Sequence, residues 1–308
     1  MKAGSNLEKI LSAGHFAVTA ELGPPKGTDV ETIRKKAKFL AGVADAVNIT
    51  DNQTAVVRMS SIAAARVAID CGLEPVMQMV CRDRNRIAMQ SDLFGASALG
   101  IRNCLFIAGD HQKAGNHPQA KNVYDVDSIQ AIAMAKHMRD EKKVLGGDEI
   151  EGEFPLYIGA AWTPLGDPLE IRPLRLAKKV AAGADFIQTQ AVYDVDAFAG
   201  QMKVAGDLGL LDKVKILAGV IPLKAVGMAR YMQKNVPGVT VPEPLVERLK
   251  AAGKEKAAAE GIKIAVEIIQ KLREIPGVAG VHIMAIEWEH KVKDVVSGAG
   301  LLPRPTAQ

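Results

Sequence analysis

The sequence predicts an α/β fold in which eight parallel strands, each followed by a helix, close into a (β/α)8 TIM barrel. Three observations predict it. Short apolar, β-branched runs alternate with longer stretches of 3.6-residue periodicity along the 308 residues. The apolar runs are continuous rather than alternating, as in strands buried on both faces. No low-complexity linker or shift in composition interrupts the rhythm, so residues 1–308 read as one barrel domain. An open doubly wound sheet competes with the barrel, but its GxGxxG turn is missing after the first strand, where the chain reads Gly23-Pro24-Pro25-Lys26-Gly27.

The first strand is Phe16 to Leu22, and the helix Val30 to Ala41 follows with Thr28 and Asp29 as candidate caps. Ala46 to Thr50 is the second strand, with a helix over Val57 to Asp70. Pro75 to Val80 and Asn85 to Leu99 make the third pair. Asn103 to Ile107 is the fourth strand, and a long polar loop, Gly109 to Tyr124, delays its helix until Val126 to Glu141. Leu156 to Trp162 and Leu169 to Ala182 form the fifth pair, Asp185 to Gln190 and Val195 to Leu208 the sixth. Lys215 to Val220 precedes a helix over Lys224 to Gln233. An extra helical region, Glu243 to Glu274, separates strands seven and eight, with Ile262, Ala265, Val266, Ile269 and Leu272 on one stripe. Gly280 to Ile286 is the eighth strand, and Glu289 to Ser297 the last helix.

Composition narrows the function classes. Apolar residues make up 48% and charged residues 24%, the balance of a soluble globular protein. The 39 basic and 35 acidic residues leave +4, too little for a long-range pull toward nucleic acid or an anionic membrane. Aromatics at 4% argue against a base-stacking platform. No run of about 18 apolar residues is present, and charges interrupt the short apolar N-terminal stretch, so neither a membrane span nor a secretory signal is expected. Cys71, Cys81 and Cys104 stand apart, which points to reduced, buried thiols in a cytoplasmic protein rather than a disulfide framework or structural zinc.

Chemistry in such a barrel lies at the C-terminal ends of the strands. Those ends carry Glu21, then Thr50, Asp51 and Asn52, then Gln78 and Cys81, then Gly109, Asp110 and His111. Further round come Ala160, Ala161, Trp162 and Thr163, Gln188 and Gln190, Gly219 and Pro222, and Glu287 to Glu289. The histidines (His15, His111, His117, His137, His282 and His290) are scattered without metal-ligand spacing, so no metal is expected. GxSxG, P-loop and HExxH motifs are absent. Glu21, Asp110 and Gln190, from three strand ends, are the candidates for chemistry. Each has a structural alternative: an ion pair for Glu21, a turn for Asp110, and a bond to a neighbouring strand for Gln190.

These residues sit in motifs that resemble the methylenetetrahydrofolate reductases, flavin-dependent (β/α)8 barrels. The resemblance runs from about Phe16 to Pro303. It is carried by AELGPPKG on the first strand, FIAGDH on the fourth, AAGADFIQTQAVYD around the sixth and AGVIPL after the seventh. It implies reduction of 5,10-methylenetetrahydrofolate to 5-methyltetrahydrofolate by hydride transfer from reduced flavin. Glu21 would then be the general acid that opens the methylene bridge, Asp110 the carboxylate facing the cationic iminium, and Gln190 the amide that orients the pterin. All three would touch the folate. Thr50, Asn52, Gln78, Gly109, Asp110, Ala160, Trp162 and Lys179 would meet the flavin.

Several positions depart from the family pattern. Gln78 replaces a His, Ala108 an Arg, Trp162 a Tyr and Arg172 an acid, and Val226 is nearest to a missing aromatic. These changes fall on cofactor and nicotinamide contacts. They leave open FAD, the family's flavin, or FMN, and NAD(P)H or a partner protein as electron donor. The pattern looks closer to reductases acting in the complexes of anaerobic one-carbon pathways, so a homo-oligomer or an iron–sulfur or zinc-containing partner subunit is also open. Two other classes remain at this point: a pterin-binding methyltransferase barrel, and a non-catalytic subunit of a folate-metabolising complex.

Overall fold

A computed structural model describes residues 1–306. Eight strands, β1 (Ala17–Leu22), β2 (Ala46–Ile49), β3 (Pro75–Val80), β4 (Asn103–Ile107), β5 (Tyr157–Trp162), β6 (Phe186–Ala191), β7 (Lys215–Val220) and β8 (Val278–Ile283), pair in parallel in chain order. β8 returns to β1, with Ala17 opposite Gly280 and Thr19 opposite His282, and closes the barrel.

The helices are α1 (Asn6–Ser12), α2 (Val30–Leu40), α3 (Ser61–Asp70), α4 (Arg86–Ala98), α5 (Ser128–Glu141), α6 (Arg172–Ala182), α7 (Val195–Asp207), α8 (Val226–Asn235), α9 (Glu243–Ala251), α10 (Gly253–Leu272) and α11 (Val292–Gly298). None is long and apolar enough to cross a membrane. Asp29, Ser60, Asn85, Asp127 and Asp194 accept backbone N–H bonds at the starts of α2, α3, α4, α5 and α7, the capping their side chains favour.

β8 lies two to three residues earlier than expected, and short 3-10 turns precede α6 and α11 where the helices were expected to start. Four larger differences each have a local reason. α3 starts at Ser61 rather than Val57, because Asn52, Thr54 and Ala55 adopt left-handed backbone angles (φ 43°, 58° and 55°) and hold the preceding residues in a tight turn. The extra helical region is two helices, since Gly253 at φ 72° turns the chain between α9 and α10. The buried stripe of α10 is Ala257, Gly261, Ile264, Ala265, Ile268, Ile269 and Leu272, rotated from the expected one. Gly261 sets that rotation: a Cβ there would stand 1.7 Å from the Leu223 carbonyl oxygen, so only glycine lets the helix approach. Finally, α1 had no sequence counterpart. Its Leu7, Ile10 and Leu11 plug the N-terminal end of the barrel, and Glu8 turns back to accept the N–H groups of Ala3 and Gly4, each at 2.8 Å.

Side chains alternate between two cores. The inner one, at the plugged end, gathers Ala17, Ala46, Val76, Leu105, Tyr157, Phe186 and Leu217. Tyr157 and Phe186 stack with ring centroids 5.1 Å apart, and the missing side chain of Gly159 leaves room for the Phe186 ring. The outer core fills the layer between strands and helices.

One device occurs twice at the plugged end. Asp45, just before β2, accepts the Val18 N–H at 2.7 Å and pairs with Arg304 at 2.6 Å. Asp185, just before β6, accepts the Ile158 N–H at 2.8 Å and pairs with Arg139 at 2.6 Å. Each aspartate follows an alanine and ties its strand to the preceding one.

Candidate functional site

Above the inner core the barrel interior turns polar. Thr19, Asn48, Gln188 and His282 are all buried there and joined by hydrogen bonds. Over them opens a cavity of about 160 Å3 at the C-terminal end of the strands, lined by Glu21, Gln78, Gln188, Gln190 and His282, with Thr163, Thr189, apolar side chains of β4 and β5, and Met284 just past β8. Residues two apart on one strand share a face, so Gln188 and Gln190 arrive there together.

Glu21 lies in this lining without an ion-pair partner among the described residues. Gln53 donates to its carboxylate at 3.2 Å. Burial raises its pKa from 4.5 to about 7, against the Gln53 bond, and Glu289 adds repulsion. The lysine that could neutralise it is committed elsewhere: Lys36 bonds Glu289 at 2.7 Å and Glu287 at 3.1 Å, tying α2 to the loop after β8. Gln190 accepts the Ala191 N–H at 3.0 Å, which leaves its NH2 group for a ligand.

Asp110 is placed differently. It is exposed on the loop after β4, outside the cavity lining, and accepts the Thr54 N–H at 3.1 Å. Its carbonyl accepts from Arg82 at 2.8 Å, and the same guanidinium reaches the Asn52 carbonyl at 3.4 Å. The loops after β2, β3 and β4 are thus stapled together by one buried arginine. Gly109 precedes Asp110 at φ 86°, where a Cβ would lie 3.1 Å from Val80 Cβ. Asn52, also left-handed, accepts the Arg58 N–H at 3.0 Å and donates to Asp83 at 3.3 Å.

The remaining candidates divide between the two faces of the barrel wall. Thr50 is buried with its Oγ1 unpaired, close to Gly23, where a Cβ would stand 3.9 Å away. Gln78 faces the cavity. Ala160 points outward into the core beneath the helices, because strand alternation gives the inward position to Ala161. Trp162 borders the cavity, but its indole N–H is spent on the Arg172 carbonyl at 3.0 Å. Lys179, on α6, donates to the Ala161 carbonyl, and burial lowers its pKa from 10.5 to about 8.

From the sequence, Gln188 stood at the mouth beside Gln190 without a role, His282 was one of the scattered histidines, and Gln53 was not named. Gln188 carried a signal, the two-residue spacing from Gln190. His282 carried another, a lone polar residue inside an apolar strand. Among the described residues no three His, Cys, Asp or Glu side chains cluster as a metal site. Cys81 and Cys104 are buried free thiols, and burial pushes Cys81 up to about 12.

Comparison with known proteins agrees with this architecture. Methylenetetrahydrofolate reductase 2 of Schizosaccharomyces pombe is 27% identical over 74% of this chain and 36% of its own length. A probable methylenetetrahydrofolate reductase (NADPH) of Caenorhabditis elegans is 23% identical over 81% of this chain and 36% of its own length. The chain therefore spans only about a third of the length of these curated relatives. A solved structure of a Clostridium thermocellum protein, described as binding two copies of 5-methyl-5,6,7,8-tetrahydrofolic acid, has the same fold, with a TM-score of 0.63, 16% identity, and coverage of 97% of this chain and 99% of that one. Residues 6–300 match the family described as methylenetetrahydrofolate reductase, and the chain belongs to that family.

Proposed function

We propose that this protein reduces 5,10-methylenetetrahydrofolate to 5-methyltetrahydrofolate. The observation that carries the reading is Glu21: a carboxyl group in the cavity, beside Gln190, that burial keeps protonated to about pH 7. The methylene bridge resists reduction while both its C–N bonds are intact. Glu21 delivers its proton to a folate nitrogen, one C–N bond breaks with its electron pair remaining on that nitrogen, and the one-carbon unit becomes an iminium cation. Asp110, held by the Thr54 N–H on the rim outside the lining, would favour that cation only where the folate reaches over the rim. Gln190 presents an amide to the pterin edge. The binding of 5-methyltetrahydrofolate by the Clostridium thermocellum protein of the same fold supports a folate in this barrel.

The residues fit a flavin. Thr50 Oγ1 is a buried hydroxyl without a protein partner, as a residue awaiting a ligand contact would be. Gly109, at an angle that favours glycine, lets the loop after β4 pack onto Val80 and Arg82, which fixes the rim beside Asp110. The open cavity, about 160 Å3, is smaller than the ~300–1,000 Å3 of most ligand pockets, so it takes an edge of a ring system whose remainder rests on the rim loops. Thr50, Asn52, Gln78, Gly109, Asp110 and Trp162 would hold the cofactor, with Lys179 approaching from α6. Bound there, a flavin supplies the hydride. FAD and FMN, and NAD(P)H or a partner subunit as donor, are distinguished by the same experiment.

That experiment is extraction and identification of the flavin from the purified protein, anaerobic reduction by candidate donors, and then addition of 5,10-methylenetetrahydrofolate. Folate-dependent reoxidation with formation of 5-methyltetrahydrofolate is expected. A protein that neither retains nor takes up flavin, or whose reduced flavin ignores the folate, would overturn the reading.

A further inference from the structure

His282 is the one ring in the cavity lining that the proton step and the cofactor contacts leave unused. It is 3% exposed, and its Nδ1 lies 3.0 Å from Thr19 Oγ1. The direction of that bond follows from its neighbours. Asn48 and Gln188 pair reciprocally through their carboxamides, with Gln188 Nε2 donating to Asn48 Oδ1 at 2.9 Å and Asn48 Nδ2 donating back to Gln188 Oε1. The second N–H of Gln188 goes to Thr19 Oγ1 at 3.1 Å. The hydroxyl therefore accepts from Gln188 and has one proton to give. The acceptors in reach are the Val281 carbonyl at 3.4 Å, beyond the ~2.5–3.0 Å of an O–H···O bond, and His282 Nδ1 at 3.0 Å, so the hydroxyl proton goes to the ring. A ring that accepts at Nδ1 carries its own proton on Nε2. Burial lowers the pKa of this imidazole to about 3, so at neutral pH it holds that single proton and no charge.

We propose that His282 presents a neutral Nε2–H to the cavity as a hydrogen-bond donor for a ring carbonyl or ring nitrogen of the bound heteroaromatic ligand. Asn48, Gln188 and Thr19 are positioning residues that hold this tautomer. Their bonds run across the barrel from β2 through β6 and β1 to β8, so four strands fix one donor. A neutral donor suits a ring acceptor without adding a positive charge beside the iminium. The proposal rests on the folate and flavin reading only for the identity of the ring; the tautomer stands apart from it.

Two measurements test it. The first is a long-range 1H–15N correlation spectrum of histidine-labelled protein at pH 7.5, with the His282 signals assigned by their loss in His282→Gln. An Nε2–H tautomer is expected, and Thr19→Val should convert it to a mixture. An Nδ1–H ring or a doubly protonated ring in the parent protein overturns the proposal. The second is titration of His282→Leu and His282→Gln with FAD, FMN and 5-methyltetrahydrofolate separately. The Leu variant should weaken binding of one ring by ~10-fold, the loss of about one hydrogen bond, and Gln should recover part of it. The ring affected identifies the ligand His282 touches, whereas affinities unchanged for all three overturn the assignment. Parent protein that binds no folate and no flavin would remove the functional reading, while the spectrum decides the tautomer in either event.

Discussion

A carboxyl group that keeps its proton to about pH 7 is costly to a fold and useful to a reaction, and Glu21 shows both sides. Its folded-state pKa lies above the 4.5 of an exposed glutamate, so the folded chain binds this proton more tightly than the unfolded one. Stability linked to Glu21 is full below about pH 4.5 and is lost as pH rises through about 7. Glu21→Gln should therefore stabilise the protein at pH 8 by ~1–3 kcal/mol and change little at pH 4.5, as urea unfolding at the two pH values would register. The same variant should slow the folate half-reaction by ~10²–10⁴-fold while leaving the flavin reducible, in stopped-flow traces of the two half-reactions. Equal slowing of both would remove the acid role. Thr50→Val tests a second residue. It deletes an unpaired buried hydroxyl, so the flavin-free protein should melt at the same temperature or higher, and flavin affinity should fall ~5–10-fold by fluorescence titration. Glu21, Thr50 and Gln190 were legible because a strand's end and its two-residue period locate them. Gln53 was not, and Glu289, though placed at the eighth strand's end, gave no sign that it tunes Glu21, since only the closed barrel brings them close.

The elements that shape the rim are loops, and their sequence gave little of their form. Asn52, Thr54 and Ala55 hold left-handed angles that no composition rule assigns to a threonine or an alanine. Contacts between loops impose them: Asp110 takes the Thr54 N–H, and Asn116 takes the Val57 N–H at 3.2 Å. Gly115 packs so closely that a Cβ would stand 1.8 Å from the Ala55 carbonyl oxygen. Gly115→Ala should push the β2 and β4 loops apart. Hydrogen exchange at Thr54 and Val57 should rise by an order of magnitude or more, with the inner core still protected. Protection unchanged at both amides would mean that the loops are held by other contacts. The strands themselves were read to within a few residues, because buried parallel strands announce themselves as apolar runs. α1 escaped, because its Leu7, Ile10 and Leu11 seal the barrel from outside the strand–helix rhythm.

At the scale of the whole molecule, adhesion and the candidate site occupy opposite ends of the barrel. The plugged end holds the apolar layer, α1 and the two aspartate latches; the other holds the strained loops and the cavity. Arg304→Gln tests the division. It leaves Asp45 with the Val18 N–H alone inside a buried site, and breaking such a pair costs ~3–5 kcal/mol. Folate and flavin affinities should stay within about twofold below the melting transition. A variant that melts normally, or that loses ligand while folded, would contradict this separation.

The paired Ala-Asp latches stand before the second and sixth staves of an eight-membered ring. Half a revolution about the central axis carries one onto the other, with its amide donor and its guanidinium in tow. That twofold echo is what two fused copies of a four-stranded ancestor would leave behind, and it makes the junction between β4 and β5 the natural place to divide the chain into complementing fragments.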